Sequence, residues 1–225
     1  PMNQIVQAIS RTTSIKVVGL CHEYMGFMSK VQEWLGLDDW QQECSATIAG
    51  INHFAWITEL NVNGQDGLAL LREFHAKGGV ANLGETESKL VNLSAKRSPE
   101  TLKFQLFDNY GVMPYPGDRH LAEFFPYFLS EKTKYGAAYG VELTSIEDRR
   151  TTWMEHFKKR IAEWTNEDPT SVPTQPSEES LAPIIAALLG GQSTIQPVAI
   201  PNCGQVANLP QLSLIHISEP TRRRG

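Results

Sequence analysis

Apolar and polar positions switch between helical and strand periods along the chain. Tyr24, Phe27, Met28, Val31, Trp34 and Leu35 fall three and four apart and predict a helix over 24–35, which Gly36 stops. Ile5, Val6 and Ile9 predict a helix over 3–11. The apolar run 15–20 (IKVVGL) predicts a strand ending directly before Cys21. Residues 45–62 read as two strands around a turn at Asn52-His53, and Asn63-Gly64 is a second turn signal. A short helix is predicted over 67–75, stopped by Gly78-Gly79. Residues 81–97 have no clear period and read as loop or weak helix. Ser98 is a predicted N-cap with Pro99 at the first helical position, and that helix runs to about Tyr110 and stops at Gly111.

The segment 113–117 (MPYPG) reads as a loop. Asp118 then opens a helix with Leu121, Phe124, Phe125 and Phe128 on one stripe and His120, Glu123 and Tyr127 on another; Pro126 must kink or end it. Thr144 and Glu147 fit a capping box. Behind it, Trp153, Met154, Phe157, Ile161 and Trp164 have helical spacing and read as a core face. A Pro/Ser-rich loop is predicted over 165–177, a helix around Leu181, Ile184, Ile185 and Leu188, and a strand over 193–200. There is no internal repeat and no regular βαβ alternation after residue 21, so the bulk reads as an α+β domain.

Composition narrows the functional classes. With 41% hydrophobic and 20% charged residues the chain can bury a core. A net charge of −5, with no Lys/Arg block in the body of the chain, argues against nucleic acid or a membrane surface as partner. No apolar run is long enough to span a bilayer, and no signal-peptide pattern opens the chain. The three cysteines suit a reducing, cytoplasmic setting better than a disulfide framework.

The chemistry-bearing residues cluster at two predicted strand ends. Cys21 sits where a strand meets a helix N-terminus, a position that favours the thiolate, and His53 sits at the end of the run 46–51. A thiolate and an imidazole so presented could share a metal ion. Equally, a cysteine in an apolar run is commonly a small core residue, and a histidine beside Phe54 and Trp56 is commonly packed.

Three stretches carry a resemblance: 17–23 (VVGLCHE), 50–56 (GINHFAW) and 117–126 (GDRHLAEFFP). In this order and at these separations the chain resembles glycoside hydrolase family 4 from residue 1 to about residue 211. The resemblance implies a two-domain protein of the lactate/malate dehydrogenase plan. Residues 1–20 would be the last helix and strand of a Rossmann NAD-binding domain, and 21–211 the substrate- and metal-binding α+β domain. The glycine-rich dinucleotide turn is expected upstream of Pro1, and with it the cofactor-binding residues. Residues 212–225 (LSLIHISEPTRRRG) look like a translated sequencing adapter and are expected to be disordered and to pack against nothing.

The family is an exception to two-carboxylate glycosidase chemistry. The resemblance implies oxidation of the sugar at C3 by NAD, removal of the C2 proton, elimination of the aglycone and later return of the hydride, with a divalent cation stabilising the charge that develops. Cys21 and His53 would be the metal ligands and manganese the metal, although thiolate ligands ordinarily favour softer ions. Asp118 is the candidate base, or else an ordinary helix cap; Tyr110 is a second candidate base. His22, Asn52 and His120 would contact the sugar. Arg119 would hold a C6 carboxylate, in keeping with the α-galacturonidase branch, or else be a surface arginine. The implied substrate is an α-galacturonide and the implied assembly a homodimer or tetramer. An α-galactosidase or α-glucosidase of the same family, and a lactate/malate-type dehydrogenase, are the alternatives; the fragment alone is expected to be inactive.

Overall fold

The computed structural model describes residues 2–80, 100–141, 143–165, 180–191, 194–211 and 213–217. The readings of 81–97, of the Ser98-Pro99 cap and of most of the 165–177 loop lie outside the described residues. The fold mixes helix and sheet. Helix α1 (Met2–Thr12) opens the chain, α2 (Glu23–Leu35) follows, and a short α3 (Trp40–Glu43) leads into the hairpin of β1 (Cys44–Ile51) and β2 (Phe54–Val62). The α2 stop is Gly36, whose φ of 67° puts it in the left-handed region that glycine tolerates.

Strand β2 is the centre of the sheet. It pairs antiparallel with all of β1, and its other edge is shared by two short strands, β3 (Gln65–Asp66) at one end and β4 (Met113–Pro114) at the other. The segment 113–117, read from sequence as loop, thus contributes two residues to the sheet. Pro114 is tolerated because it sits on an edge strand. Helix α4 (Gly67–Ala76) is capped by Asp66, whose side chain accepts from the Leu68 and Ala69 N–H groups.

Helix α5 (Thr101–Tyr110) runs between two apolar cores. Phe104 and Phe107 join α2, the hairpin and α4, including Phe27, Met28, Val31, Ile48 and Ile57. Leu102 and Leu106 join Leu121 and Ala122 of α6 (Asp118–Phe124), together with Phe128 and Val141. Pro126 ends α6 as expected, and a 3-10 turn (Pro126–Leu129) follows.

A buried set of charges fixes the start of α5. Lys103 is fully buried and Glu100 and Asp118 nearly so. Glu100 receives Lys30 Nζ from α2 and Lys103 Nζ, both at 2.5 Å, and the Lys103 ammonium lies 4.9 Å from the centroid of the Phe27 ring. Asp118 is a cap, but not of its own helix: its two carboxylate oxygens accept from the Leu102 and Lys103 N–H groups of α5, each at 3.0 Å. Burial works against the Glu100 carboxylate, yet the two lysines hold it below its ordinary range. Burial and then the Glu100 charge push the Asp118 carboxyl up to about 6.

Several sequence expectations are corrected. Residues 15–20 form no strand: Ile15 and Val18 are exposed, and only Gly19 bridges, exchanging both backbone bonds with Ala199 at 2.9 and 2.8 Å. A side chain at position 19 would collide with Met2 and crowd Ala199, so glycine permits this approach. The helix beyond residue 145 is capped by Ser145 and Asp148 instead of Thr144 and Glu147. It runs as α7 (Ile146–Asp148), a π turn (Arg149–Trp153) and α8 (Met154–Thr165), and its apolar face is not core: Met154, Phe157, Ile161 and Trp164 are all exposed, because no described element packs over them.

A further correction touches the expected disorder of 212–225, and only at the described residues 213–217. After α9 (Leu181–Leu188), strand β5 (Val198–Pro201) pairs antiparallel with β6 (Leu214–Ile217), and β6 lies beside β1. Ile215 is fully buried. An apolar strand with a free partner edge in reach buries itself there, whatever its origin. Deleting Ile215 to alanine should therefore cost about 2–4 kcal/mol in urea unfolding; an unchanged midpoint would show that β6 adds nothing.

A second prediction follows from Asp118. Its carboxyl is raised, so the folded chain holds that proton at pH values where the unfolded chain has released it. Its contribution to stability therefore grows as pH falls through about 6 and is complete below its unfolded value, opposite in sign to that of Glu100. Between about pH 7 and about pH 4.5 the unfolding free energy of the wild type should gain roughly 1–2 kcal/mol on that of Asp118→Asn. A gap independent of pH would show that this carboxyl titrates normally.

Candidate functional site

The site is built where α2 begins, at the tip of the β1–β2 hairpin and on the first turns of α6. The hairpin closes through a two-residue turn, Asn52-His53, with Ile51 paired to Phe54. His53 adopts φ 64°. A side-chain-bearing residue in the left-handed region costs free energy, and such residues concentrate where a side chain must be aimed. Asn52 Oδ1 is buried and meets no donor among the described residues.

His53 stacks on His120 of α6, with ring centroids 3.9 Å apart and planes 24° from parallel. His120 in turn stands between two carboxylates, its Nε2 3.5 Å from Glu23 Oε1 and its Nδ1 3.4 Å from Glu123 Oε1. The second oxygen of Glu23 accepts the Gly117 N–H at 2.8 Å, tying the first residue of α2 to the start of α6. Burial and then the neighbouring His120 hold the His53 pKa below its ordinary value, against the pull of Glu23 and Glu123. His53 is thus neutral at neutral pH, the form that ligates metal. Cys21 and His22 precede α2 directly, with His22 at its N-cap position. Tyr115 is buried beside them; burial, then the charges of Cys21 and Glu23, raise its hydroxyl pKa well above the ordinary value.

The structure gathers some of the sequence-derived candidates and separates others. His53 and His120 meet, and the chain entering α2, with Cys21 and His22, borders the same place. Asp118 is withdrawn into the cap of α5. Tyr110 is exposed at the far end of α5, its ring edge against Trp56 with centroids 5.6 Å apart. Arg119 donates from Nη1 to Thr144 Oγ1 at 2.6 Å. Among the described residues no group of three or more His, Cys, Asp or Glu side chains is arranged to hold a cation. Glu23 and Tyr115 belong to the site and were not singled out by sequence; Glu23 was visible only as the third letter of Cys-His-Glu.

Beside the histidine pair, Phe54 stacks on Phe124 at 4.6 Å and 19°, and Phe54 and Trp56 meet edge to face at 5.5 Å. The arrangement offers a polar corner of imidazoles, carboxylates and one unsatisfied amide oxygen beside an aromatic shelf. Sugars present hydroxyls on their edges and C–H on their faces, and such a corner can meet both.

Residues 48–219 match the model of the family 4 glycosyl hydrolase C-terminal domain. The alpha-galacturonidase of Bacillus subtilis is 35% identical over 206 residues, 89% of this chain and 45% of that protein. The crystal structure of lplD from Bacillus subtilis superposes with a TM-score of 0.80 at 30% identity, covering 99% of this chain and 52% of its own. The 6-phospho-beta glucosidase of Thermotoga maritima, solved with manganese, NAD+ and glucose-6-phosphate, shares the fold at a TM-score of 0.56 and 20% identity, covering 96% of this chain and 45% of its own. The chain thus spans about half the length of these relatives, and it belongs to glycoside hydrolase family 4 as that family's C-terminal domain.

Proposed function

We propose that this chain is the substrate- and metal-binding part of an NAD- and manganese-dependent α-galacturonidase that acts in the cytoplasm as a homo-oligomer. The observation that carries the reading is the 35% identity to the Bacillus subtilis alpha-galacturonidase over nearly the whole chain. The hairpin tip, with His53 in the left-handed region against His120, supplies the geometry.

Cys21 and His53 are the proposed metal ligands. The neutral imidazole fits that role, and the remaining ligand positions fall to sugar oxygens and water. When bound, manganese would supply positive charge to offset the negative charge that develops on the sugar, and NAD would supply a hydride acceptor. Asn52 Oδ1 accepts from a sugar hydroxyl, which satisfies a buried acceptor that finds no donor among the described residues. His120 and His22 border the same sugar. Glu23 and Glu123 orient His120 by flanking both of its ring nitrogens.

Asp118 and Tyr110 divide the requirements of the C2 base. Asp118 has a pKa of about 6, poised for proton transfer near neutrality, but both its oxygens are engaged by α5. Tyr110 is accessible, being more than half exposed. A pH–rate profile that loses its acid limb in Asp118→Asn would assign the base to Asp118. A limb that survives there and is lost in Tyr110→Phe would assign it to Tyr110.

The metal assignment predicts that His53→Gly keeps or slightly raises stability, since glycine removes a left-handed strain of about 1 kcal/mol. The same variant should lower manganese affinity by an order of magnitude or more, as should Cys21→Ser, in calorimetric titration with the metal alone. Undiminished affinity in both variants would remove these residues from the site.

Arg119 is the proposed reader of the C6 carboxylate. It makes no ion pair among the described residues, and its one hydrogen bond is to a neutral hydroxyl. The full-length enzyme should favour a p-nitrophenyl α-galacturonide over the matching galactoside by on the order of a hundredfold in kcat/KM. Arg119→Lys should lose much of that ratio, because a point charge cannot reproduce the guanidinium fork. Equal rates on both sugars in the wild type would instead favour an α-galactosidase.

A further inference from the structure

The exposed apolar face beyond residue 145 borders a cleft at its N-terminal end. Where the helix opens into its π turn, a cleft of about 400 Å³ is lined by Thr144, Ser145, Arg149, Arg150, Trp153 and Phe157, among others. A π turn sets one extra residue into a helix and widens it, and such turns recur at binding sites. Here it carries Arg149, Arg150 and Trp153 together.

The charges in the cleft are unbalanced. Arg149 and Arg150 are exposed and make no ion pair among the described residues. The nearest acid in sequence, Asp148, is already committed: its Oδ2 accepts the Ser145 N–H at 3.1 Å and the Ser145 hydroxyl at 2.7 Å. The Arg149 guanidinium lies over the Trp153 ring at 5.6 Å, so cation and aromatic face are offered together. The cleft also adjoins the candidate specificity residue, because Thr144, part of its wall, is the acceptor for Arg119.

Aromatic faces take the C–H faces of sugar rings, and guanidinium pairs take carboxylates. From this juxtaposition we propose that the cleft binds a further uronate residue of a saccharide chain carrying a carboxylate on each ring. Arg149 and Arg150 hold its carboxylate while Trp153 and Phe157 lie against the ring. Arg119 and the cleft then form a row of cationic positions that reads successive carboxylates. The inference rests on the uronide reading of Arg119, and the experiment separates the two.

Calorimetry on this 225-residue chain with galacturonic acid, trigalacturonic acid and neutral galactotriose tests the proposal. The wild type should bind trigalacturonic acid at least about tenfold more tightly than galacturonic acid, the order expected of one added charge-assisted contact set. It should bind galactotriose no better than the monosaccharide. The double variant Arg149→Gln/Arg150→Gln should lose the chain-length gain while keeping its affinity for galacturonic acid and its circular dichroism spectrum. A gain that survives in the double variant, an equal gain for galactotriose, or no binding of trigalacturonic acid would overturn the cleft. Tight binding of trigalacturonic acid that depends on Arg149 and Arg150 but not on Arg119 would uphold the cleft and remove Arg119 as a carboxylate reader.

Discussion

Lys103 has no exposure to water, and much of the architecture follows from keeping its charge satisfied. A buried ammonium that loses its partner costs several kcal/mol, so it is found only where partners are fixed. Glu100 is one partner and is itself shared with Lys30 of α2. Asp118, from α6, adds negative charge nearby while closing the first turn of α5. Three helices are thereby set at fixed distances by charges that cannot move apart without exposing one of them. Two of these helices border the candidate site, since α2 begins beside Cys21 and α6 carries His120, and α5 separates the two cores.

The electrostatics also explain how two histidines can lie face to face. Two stacked imidazoles repel each other when both are positively charged. His53 is kept neutral by burial and by its neighbour, while His120 stands between Glu23 and Glu123. The pair therefore has a built-in division of labour, one ring free to donate a lone pair and the other in contact with acids. The same carboxylate that faces His120 also holds the Gly117 N–H, so the polar corner is continuous with the packing that positions it.

Periodicity made the local elements legible. The α2 stripe, its glycine stop, the hairpin around Asn52-His53 and the end of α6 at Pro126 stand as the pattern predicts. The buried charge cluster was not legible, because its members are far apart in sequence and each reads locally as something ordinary. Asp118 looks like the cap of the helix it begins, whereas it caps another. The α8 stripe reads as core because spacing reports amphipathicity and is silent on what covers the face. The 15–20 run has strand composition but too few neighbours to make a ladder, and β6 has the neighbours that its unusual sequence gave no reason to expect.

The division of β2's second edge between β3 and β4 has a consequence for solubility. Each short strand pairs with only two residues, Asn61 and Val62 at one end and Trp56 and Ile57 at the other. Between them Thr58 and Glu59 are exposed on a stretch too short to template a foreign strand. The opposite edge of the hairpin has β6 alongside it. A charged, interrupted margin of this kind blocks edge-to-edge growth. The β1–β2 hairpin is thus guarded against amyloid-like association by the short strands that share the second edge of β2.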